Sequence, residues 1–183
     1  KPTMTHNTTR TGGSYDVDTT RRVVNWAPQG MLWWEMSDNA SFRMYYRGNS
    51  SQPSISKLIS VPDNTNPLNV SFGNPTLQPS FNHSLRGDFR YNDKKTFTSV
   101  NVRFNGSYNS SPVVNATWYT SGISYSMPVN GSSSGSASLN LFANIPLRKT
   151  NFTIMTVTFA SFSHSSNLVG TGINTSDYVS GGA

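Results

Sequence analysis

The feature that most constrains this chain is a succession of short segments in which apolar and polar side chains alternate. Along residues 97–104, Val100, Val102 and Phe104 alternate with polar residues, which places one row of side chains on each face of a strand. No window carries the apolar repeat of an amphipathic helix, and Glu35 is the only glutamate in the chain. The pattern predicts an all-β fold.

Nine segments are predicted strands, and turn signals such as Asn105-Gly106 separate them. The predicted strands are Met31–Met36, Ser41–Tyr46, Ser54–Val61, Asp88–Asn92, Thr96–Phe104, Val113–Tyr119, Ile123–Met127, Ser136–Ile145 and Phe152–His164. A slip in the alternation between Phe159 and Phe162 predicts a β-bulge. The proline-rich segment 62–80 predicts a long connection with at most a short strand at Leu68–Phe72. This spacing favours an antiparallel β-sandwich of the jelly-roll kind with 8–10 strands.

Composition indicates how the chain is divided into a core and two ends. Charged residues make up only 12% of the 183 positions, whereas the chain has 10 Phe, 8 Tyr and 4 Trp, so it is not a disordered polymer. The two ends are rich in Gly, Ser, Thr and Asn. We therefore expect an N-terminal arm at 1–25, partly shared between subunits, a β-sandwich core at 26–164 and a polar C-terminal tail at 165–183.

The residues offer little for catalysis. His6, His83 and His164 are scattered without metal-ligand spacing, and there is no cysteine. Asp16 and Asp18 flank Val17 and could ligate calcium through their oxygens, but we expect them to be ordinary solvated acids. The sequence predicts a protein that is not an enzyme and has no cofactor and no metal site. No run reaches the roughly 18 apolar residues of a transmembrane helix.

The formal net charge is +6, and most arginines are spread along the chain. Arg10, Arg21 and Arg22 near the start are candidate arm residues, and they are also candidate contacts to non-specific nucleic acid on the inner face of a particle.

Three further patterns point to recognition at a surface. Arg86-Gly87-Asp88 is a candidate attachment tripeptide for a cell-surface receptor. Trp33, Trp34 and Tyr45 are a candidate subunit interface or glycan platform, and adjacent Trp33 and Trp34 must face opposite sides, one of them buried. The third pattern is an excess of Asn-x-Ser/Thr sequons, which are candidate glycosylation sites. They begin at Asn7, Asn39, Asn49, Asn69, Asn82, Asn105, Asn109, Asn115, Asn130, Asn151 and Asn174.

Together these observations predict a non-enzymatic structural subunit of a self-assembling, virus coat-like particle, located in the virion or outside the cell. Its polar loops would face outward and could attach to a receptor or glycan, and identical subunits would be its partners. Two alternatives stay open from the sequence. One is a glycosylated extracellular filament or appendage subunit. The other is a secreted carbohydrate-binding or pore-forming β-protein, in which the hairpin across 123–142 would line the pore.

Overall fold

The computed structural model of the chain describes residues 3–9, 19–147, 151–169 and 172–183. Its elements are β1 (Thr3–Thr9), β2 (Thr19–Asn25), β3 (Gln29–Ser37), β4 (Ala40–Ser51), α1 (Ile55–Leu58), β5 (Asp63–Asn66), β6 (Asn69–Ser71), β7 (Ser80–Asp93), β8 (Thr98–Ser110), β9 (Val113–Thr120), β10 (Ile123–Asn130), β11 (Ser134–Leu147), β12 (Phe152–Val169) and β13 (Gly172–Gly182). The all-β prediction is confirmed.

Seven long strands form an antiparallel meander in the order β3-β4-β7-β8-β11-β12-β13. Alternating, β-branched and aromatic residues such as those of β8 suit a pleated strand with two different faces. Short connections join β3 to β4, β7 to β8 and β11 to β12, all at one end of the sheet. We call this the short-turn end.

The opposite end carries two long insertions. Residues 52–79 leave the sheet after β4 and contain α1, β5 and β6, and residues 111–133 leave after β8 and contain the hairpin β9–β10. The insertions contact each other because β6 pairs in parallel with β10. Asn130 fastens them further, since its side-chain amide donates to the carbonyls of Gln78 and Ser111 at 3.0 and 3.1 Å. We call this the long-loop end.

The insertions share a cluster of partly buried aromatic residues. Phe72, Trp118 and Tyr125 stack, with ring centroids 5.8–6.3 Å apart. Within the described residues, no helix is both long enough and apolar enough to cross a membrane.

The predicted sandwich is not confirmed. Apart from the β1–β2 hairpin, the described strands belong to one open sheet, with β5, β6, β9 and β10 joined to it through β12. Two packed sheets would bury many large apolar residues between them. Of the described hydrophobic residues, those that are buried are Leu77, Ala116 and Ala143.

Among the local predictions, three are wrong and one is confirmed. Residues 54–61, predicted as a strand, contain the short helix α1, and β11 and β12 pair in unbroken register from Ala137–Phe162 to Leu147–Phe152, so the predicted bulge is absent. The hairpin predicted across 123–142 does not form, because β10 pairs with β9 and β11 pairs with β8 and β12. The short strand predicted near Leu68–Phe72 is β6.

The chain ends also differ from the sequence-based plan. Within the expected C-terminal tail, 165–183, the structure has the end of β12 and the whole of β13. Within the expected arm, β1 and β2 pair with each other from Thr3–Asn25 to Thr9–Thr19. Sharing of this arm with another subunit stays a prediction.

Candidate functional site: the two faces of the sheet

Strand pairing sorts the side chains of the meander onto two faces, because residues directly opposite each other lie on the same side. One side, the apolar face, collects large hydrophobic residues from every strand. Its members are Leu32 and Trp34 of β3; Phe42, Met44 and Tyr46 of β4; Leu85, Phe89 and Tyr91 of β7; Val100, Val102 and Phe104 of β8; Leu139, Leu141, Ala143, Ile145 and Leu147 of β11; Phe152, Ile154, Ala160 and Phe162 of β12; and Val179 of β13.

The apolar face is left uncovered. Trp34 is 56% exposed and Ile154 is 50% exposed, and neighbouring Leu139 and Phe162 are exposed as well. A contiguous apolar surface of this size is characteristic of a face that meets another protein or a membrane.

The height of the apolar band can be measured along two paired strands. It covers eleven residues of β11, Ala137–Leu147, and the eleven opposite residues of β12, Phe152–Phe162. Eleven residues span about 34 Å along a strand. At the roughly 40° tilt of membrane strands, this corresponds to about 25 Å along the membrane normal, the usual height of a lipid-facing band.

Toward the long-loop end, the band gives way to a polar row. His83 lies opposite Tyr108, and His164 lies opposite Asp177, with a hydrogen bond of 2.5 Å between the last two. The hydroxyl of Tyr46 contacts Nδ1 of His83 at 2.8 Å. Polar and aromatic groups of this kind suit the boundary between an apolar medium and water.

The other side of the meander is the polar face. Its members are Ser41, Arg43, Tyr45, Arg47 and Asn49 of β4; Asn82, Ser84, Arg86, Asp88 and Arg90 of β7; Asn101, Arg103, Asn105, Ser107 and Asn109 of β8; Ser134, Ser136, Ser138, Asn140 and Asn144 of β11; Ser161 and Ser163 of β12; and Ser176 and Ser180 of β13. The abundance of Asn and Ser in the sequence is thus partly explained by one face of one sheet.

Asp88 is the centre of the polar face and is itself buried, with 6% of its surface exposed. It accepts hydrogen bonds from Nε of Arg103 at 2.8 Å and from Nε of Arg86 at 3.2 Å. Arg103 lies directly opposite Asp88 on β8, whereas Arg86 is two residues earlier on β7. One carboxylate therefore holds two guanidinium groups in place.

Arg43 lies opposite Asp88 on the other neighbouring strand but is not paired with it. Its guanidinium carbon is 4.1 Å from the centre of the Trp33 ring, a cation–π arrangement. The Nε atom of Arg43 is buried and has no hydrogen-bond partner among the described residues.

The polar face has an apolar interruption toward the short-turn end of β11 and β12. It consists of Phe142, Met155, Val157 and Phe159, which are 38–67% exposed. The alternation of β12 is therefore reversed over this stretch, since Thr156 and Thr158 lie on the apolar face.

The predicted attachment tripeptide lies inside β7 rather than in a loop. Arg86 and Asp88 are on the polar face, and Gly87 faces the Phe104 ring on the other side. Asp88 already has two arginine partners. Attachment through these residues stays a prediction, which this geometry does not favour.

The predicted aromatic platform is divided between the two faces. Trp33 is on the polar face with Tyr45, and Trp34 is on the apolar face opposite Phe42, so the expectation of opposite sides is confirmed. Neither tryptophan is buried, however, since they are 55% and 56% exposed. The expectation that one is buried is wrong, because among the described residues no second sheet packs on either face at Trp33 and Trp34.

Most of the sequon asparagines lie in strands rather than in loops, and occupancy by glycan stays a prediction. Asn49, Asn82, Asn105 and Asn109 are on the polar face, and Asn130 ties the two insertions together. Asn69, Asn115 and Asn174 lie in β6, β9 and β13, whereas Asn39 and Asn151 lie in turns. Asn7 lies in β1 without a described side chain.

The candidate nucleic-acid or arm contacts are outside the described side chains. Arg10 lies outside the described residues, and Arg21 and Arg22 are described only as backbone in β2. In their place, the structure brings together five arginines that are scattered in the sequence. The signal that could have found them is Arg86-x-Asp88-x-Arg90, in which alternate positions share a face, but the sequence does not give the cross-strand register that adds Arg43 and Arg103.

An antiparallel sheet of long strands with one uncovered apolar face, one polar face and long connections at one end defines a class, the membrane-spanning β-proteins. The sequence matches the model of the outer membrane protein beta-barrel family over residues 4–182. The chain belongs to this family. No curated protein and no solved structure matches it.

This family overturns the predicted function and location. The chain is not a virus coat subunit, and the filament, carbohydrate-binding and secreted pore-forming alternatives do not match either. The family indicates a membrane location rather than the virion or the extracellular medium. The error has a physical reason: a sandwich strand and a membrane strand show the same two-residue alternation, and composition does not reveal whether protein or lipid covers the apolar side.

Proposed function

We propose that β3, β4, β7, β8, β11, β12 and β13 form part of the wall of an outer-membrane β-barrel, with the apolar face toward lipid and the polar face toward an aqueous interior. The observation that supports this most directly is the apolar face, which receives apolar side chains from all seven strands and is about 25 Å high on β11 and β12. The polar face carries the arginines and Asp88, and exposing these charged side chains to lipid would cost free energy.

The described sheet is open, with β3 and β13 as the edges of the meander. Unpaired strand edges are not tolerated in the hydrocarbon region, since each free N–H or C=O group there costs several kcal/mol. Bacterial barrels use at least about eight strands. The edges of β3 and β13 are therefore where further strands complete the wall. The predicted absence of catalysis is part of this proposal.

Two adjacent residues of β11 test the orientation. The chain has no native cysteine, so Leu139→Cys and Asn140→Cys each provide a single thiol. A nitroxide label at position 139 should be relaxed mainly by lipid-dissolved oxygen, and one at position 140 mainly by a water-soluble nickel complex. The measurement is power-saturation EPR of the protein in phospholipid vesicles. Equal accessibility to both relaxing agents at the two positions would refute the proposal.

A further inference from the structure

The polar face carries an excess of positive charge. We define the arginine belt as Arg43, Arg47, Arg86, Arg90 and Arg103. All five lie on the polar face of three neighbouring strands, β4, β7 and β8. On that face of the meander the described acidic residues are Asp88 and Glu35, so cations outnumber anions.

The belt keeps most of its hydrogen-bonding capacity. The bonds from Arg86 and Arg103 to Asp88 both use Nε, which leaves the terminal guanidinium nitrogens free to point elsewhere. The side chains of Arg86 and Arg103 are 52% and 42% exposed, and Arg90 is also exposed. The contact of Arg43 with the Trp33 ring fixes its position without neutralising its charge.

Guanidinium groups held in this way match the planar, two-oxygen edge of carboxylate and phosphate groups. Rings of arginine or lysine side chains are also the device by which pores favour anions. Low-dielectric walls around such a row concentrate its field.

We propose that the arginine belt is a binding site for small oxyanions, meaning carboxylate-, phosphate- or sulfate-bearing solutes that enter the interior lined by the polar face. The site rests on the proposed function, because it requires that face to be wet. Asp88 acts as a positioning residue that aligns Arg86 and Arg103, whereas Arg43, Arg47 and Arg90 form no ion pair among the described residues.

Charged thiol reagents measure the local potential whether or not the wall is closed. Asn105→Cys lies directly opposite Arg86, and Ser180→Cys lies in the same cross-strand row, three strands beyond β8. The two thiols thus lie in one cross-strand row, and the second is about 14 Å from the strand of Arg103, farther than the roughly 8 Å screening length of physiological salt. Each is treated in vesicles with an anionic and a cationic methanethiosulfonate of similar size.

The expected ratio of anionic to cationic reaction rate is on the order of tenfold higher at position 105 than at position 180. In the double variant Arg43→Gln/Arg86→Gln, which keeps the Arg103–Asp88 pair, this difference should largely disappear. The matched control Lys57→Gln/Lys95→Gln removes the same charge away from the polar face and should leave it unchanged. Sodium sulfate should slow the anionic reagent at position 105 more than sodium chloride of equal ionic strength.

The experiment distinguishes failure of the anion site from failure of the proposed function. If both thiols react but give the same rate ratio, or if the arginine variant behaves like the lysine control, the face is wet and the anion site is refuted. A sulfate effect no larger than that of chloride refutes oxyanion binding in the same way. If neither thiol reacts with either reagent, the polar face does not meet water, and the proposed function falls together with the site.

Discussion

At the scale of single residues, two glycines in the middle of the sheet occupy different environments. A Cβ atom added to Gly87 would clash with Cε1 of Phe104, so the Phe104 ring lies over this glycine. At Gly106, the nearest atom to an added Cβ is the carbonyl oxygen of Ser136 at 3.9 Å. Gly87 is therefore required for packing on the apolar face, whereas Gly106 is not.

The contrast predicts opposite effects of one substitution. Gly87→Ala should destabilise the protein by about 1–3 kcal/mol through overpacking, and Gly106→Ala should leave stability unchanged or raise it by about 0.4–1 kcal/mol through a stiffer unfolded chain. The measurement is urea unfolding in phospholipid vesicles. Phe104→Leu combined with Gly87→Ala should recover part of the loss, and equal effects of the two alanines would contradict this account.

Gly106 also shows where a reliable local signal fails. Asn-Gly is a strong hairpin signal, and Asn105-Gly106 therefore predicts a turn. Instead it lies within β8, paired on both sides, with Leu85 and Ala137 opposite Gly106. Polar Asn105 belongs to the polar face and the glycine to the apolar face, so the pair satisfies a two-faced strand without any turn.

At the scale of elements, β11 shows how much depends on which face a residue occupies. Leu141 is on the apolar face between Val102 and Thr158, and its neighbour Asn140 is on the polar face between Arg103 and Phe159. Both lie near the middle of the band. A charge introduced at one position would meet the apolar medium, and at the other it would meet the polar interior.

Leu141→Arg is therefore expected to destabilise the protein by about 2–4 kcal/mol, the cost of a lipid-facing arginine near the bilayer midplane. Asn140→Arg should cost much less, since it faces the interior, although it adds a cation beside Arg103. Reversible unfolding in vesicles measures both. A larger loss for Asn140→Arg would mean that the two faces have been assigned the wrong way round.

Most elements of the sheet could be predicted from the sequence. Predicted segments such as Thr96–Phe104 and Phe152–His164 fall on β8 and β12, because alternation and β-branched residues report strand structure directly. The first half of β7 was missed because Asn82-His83-Ser84 looks like a loop, whereas the chain places two of its side chains on a polar face. At 54–61, alternation predicted a strand, but this segment belongs to an insertion and forms α1.

At the scale of the whole molecule, the sheet is asymmetric from end to end. Three connections at the short-turn end are a few residues long, whereas residues 52–79 and 111–133 leave from the other end and contact each other. Outer-membrane barrels have short periplasmic turns and longer extracellular loops. The long-loop end is thus expected to face the outside of the cell.

This orientation predicts a labelling pattern. In intact cells, a membrane-impermeant maleimide should modify Ser121→Cys, at the exposed tip of the β9–β10 hairpin, and should leave Lys95→Cys, in the β7–β8 turn, unmodified. Permeabilising the outer membrane should then expose Lys95→Cys. The reverse pattern would invert the proposed orientation while leaving the assignment of the two faces intact.

The arginine belt could not be predicted from the sequence, although its members could be seen there. Arg43 and Asp88 are 45 positions apart and meet only because residues 52–79 form an insertion that returns β7 to the side of β4. Long-range register of this kind depends on how the insertions fold back, and local patterns do not encode it. For the same reason, five dispersed cations resembled diffuse surface charge.

Each insertion begins and ends at residues that pair with each other, or nearly so, on neighbouring strands. Ser51 pairs with Ser80 at the base of one insertion, and Asn109 pairs with Ser134 at the base of the other. These base pairs of residues can form whatever the length of the insertion between them. Evolution can accordingly lengthen, shorten or exchange either excursion without displacing any strand by one position. The insertions can diversify under selection while the strands of the sheet keep their alignment.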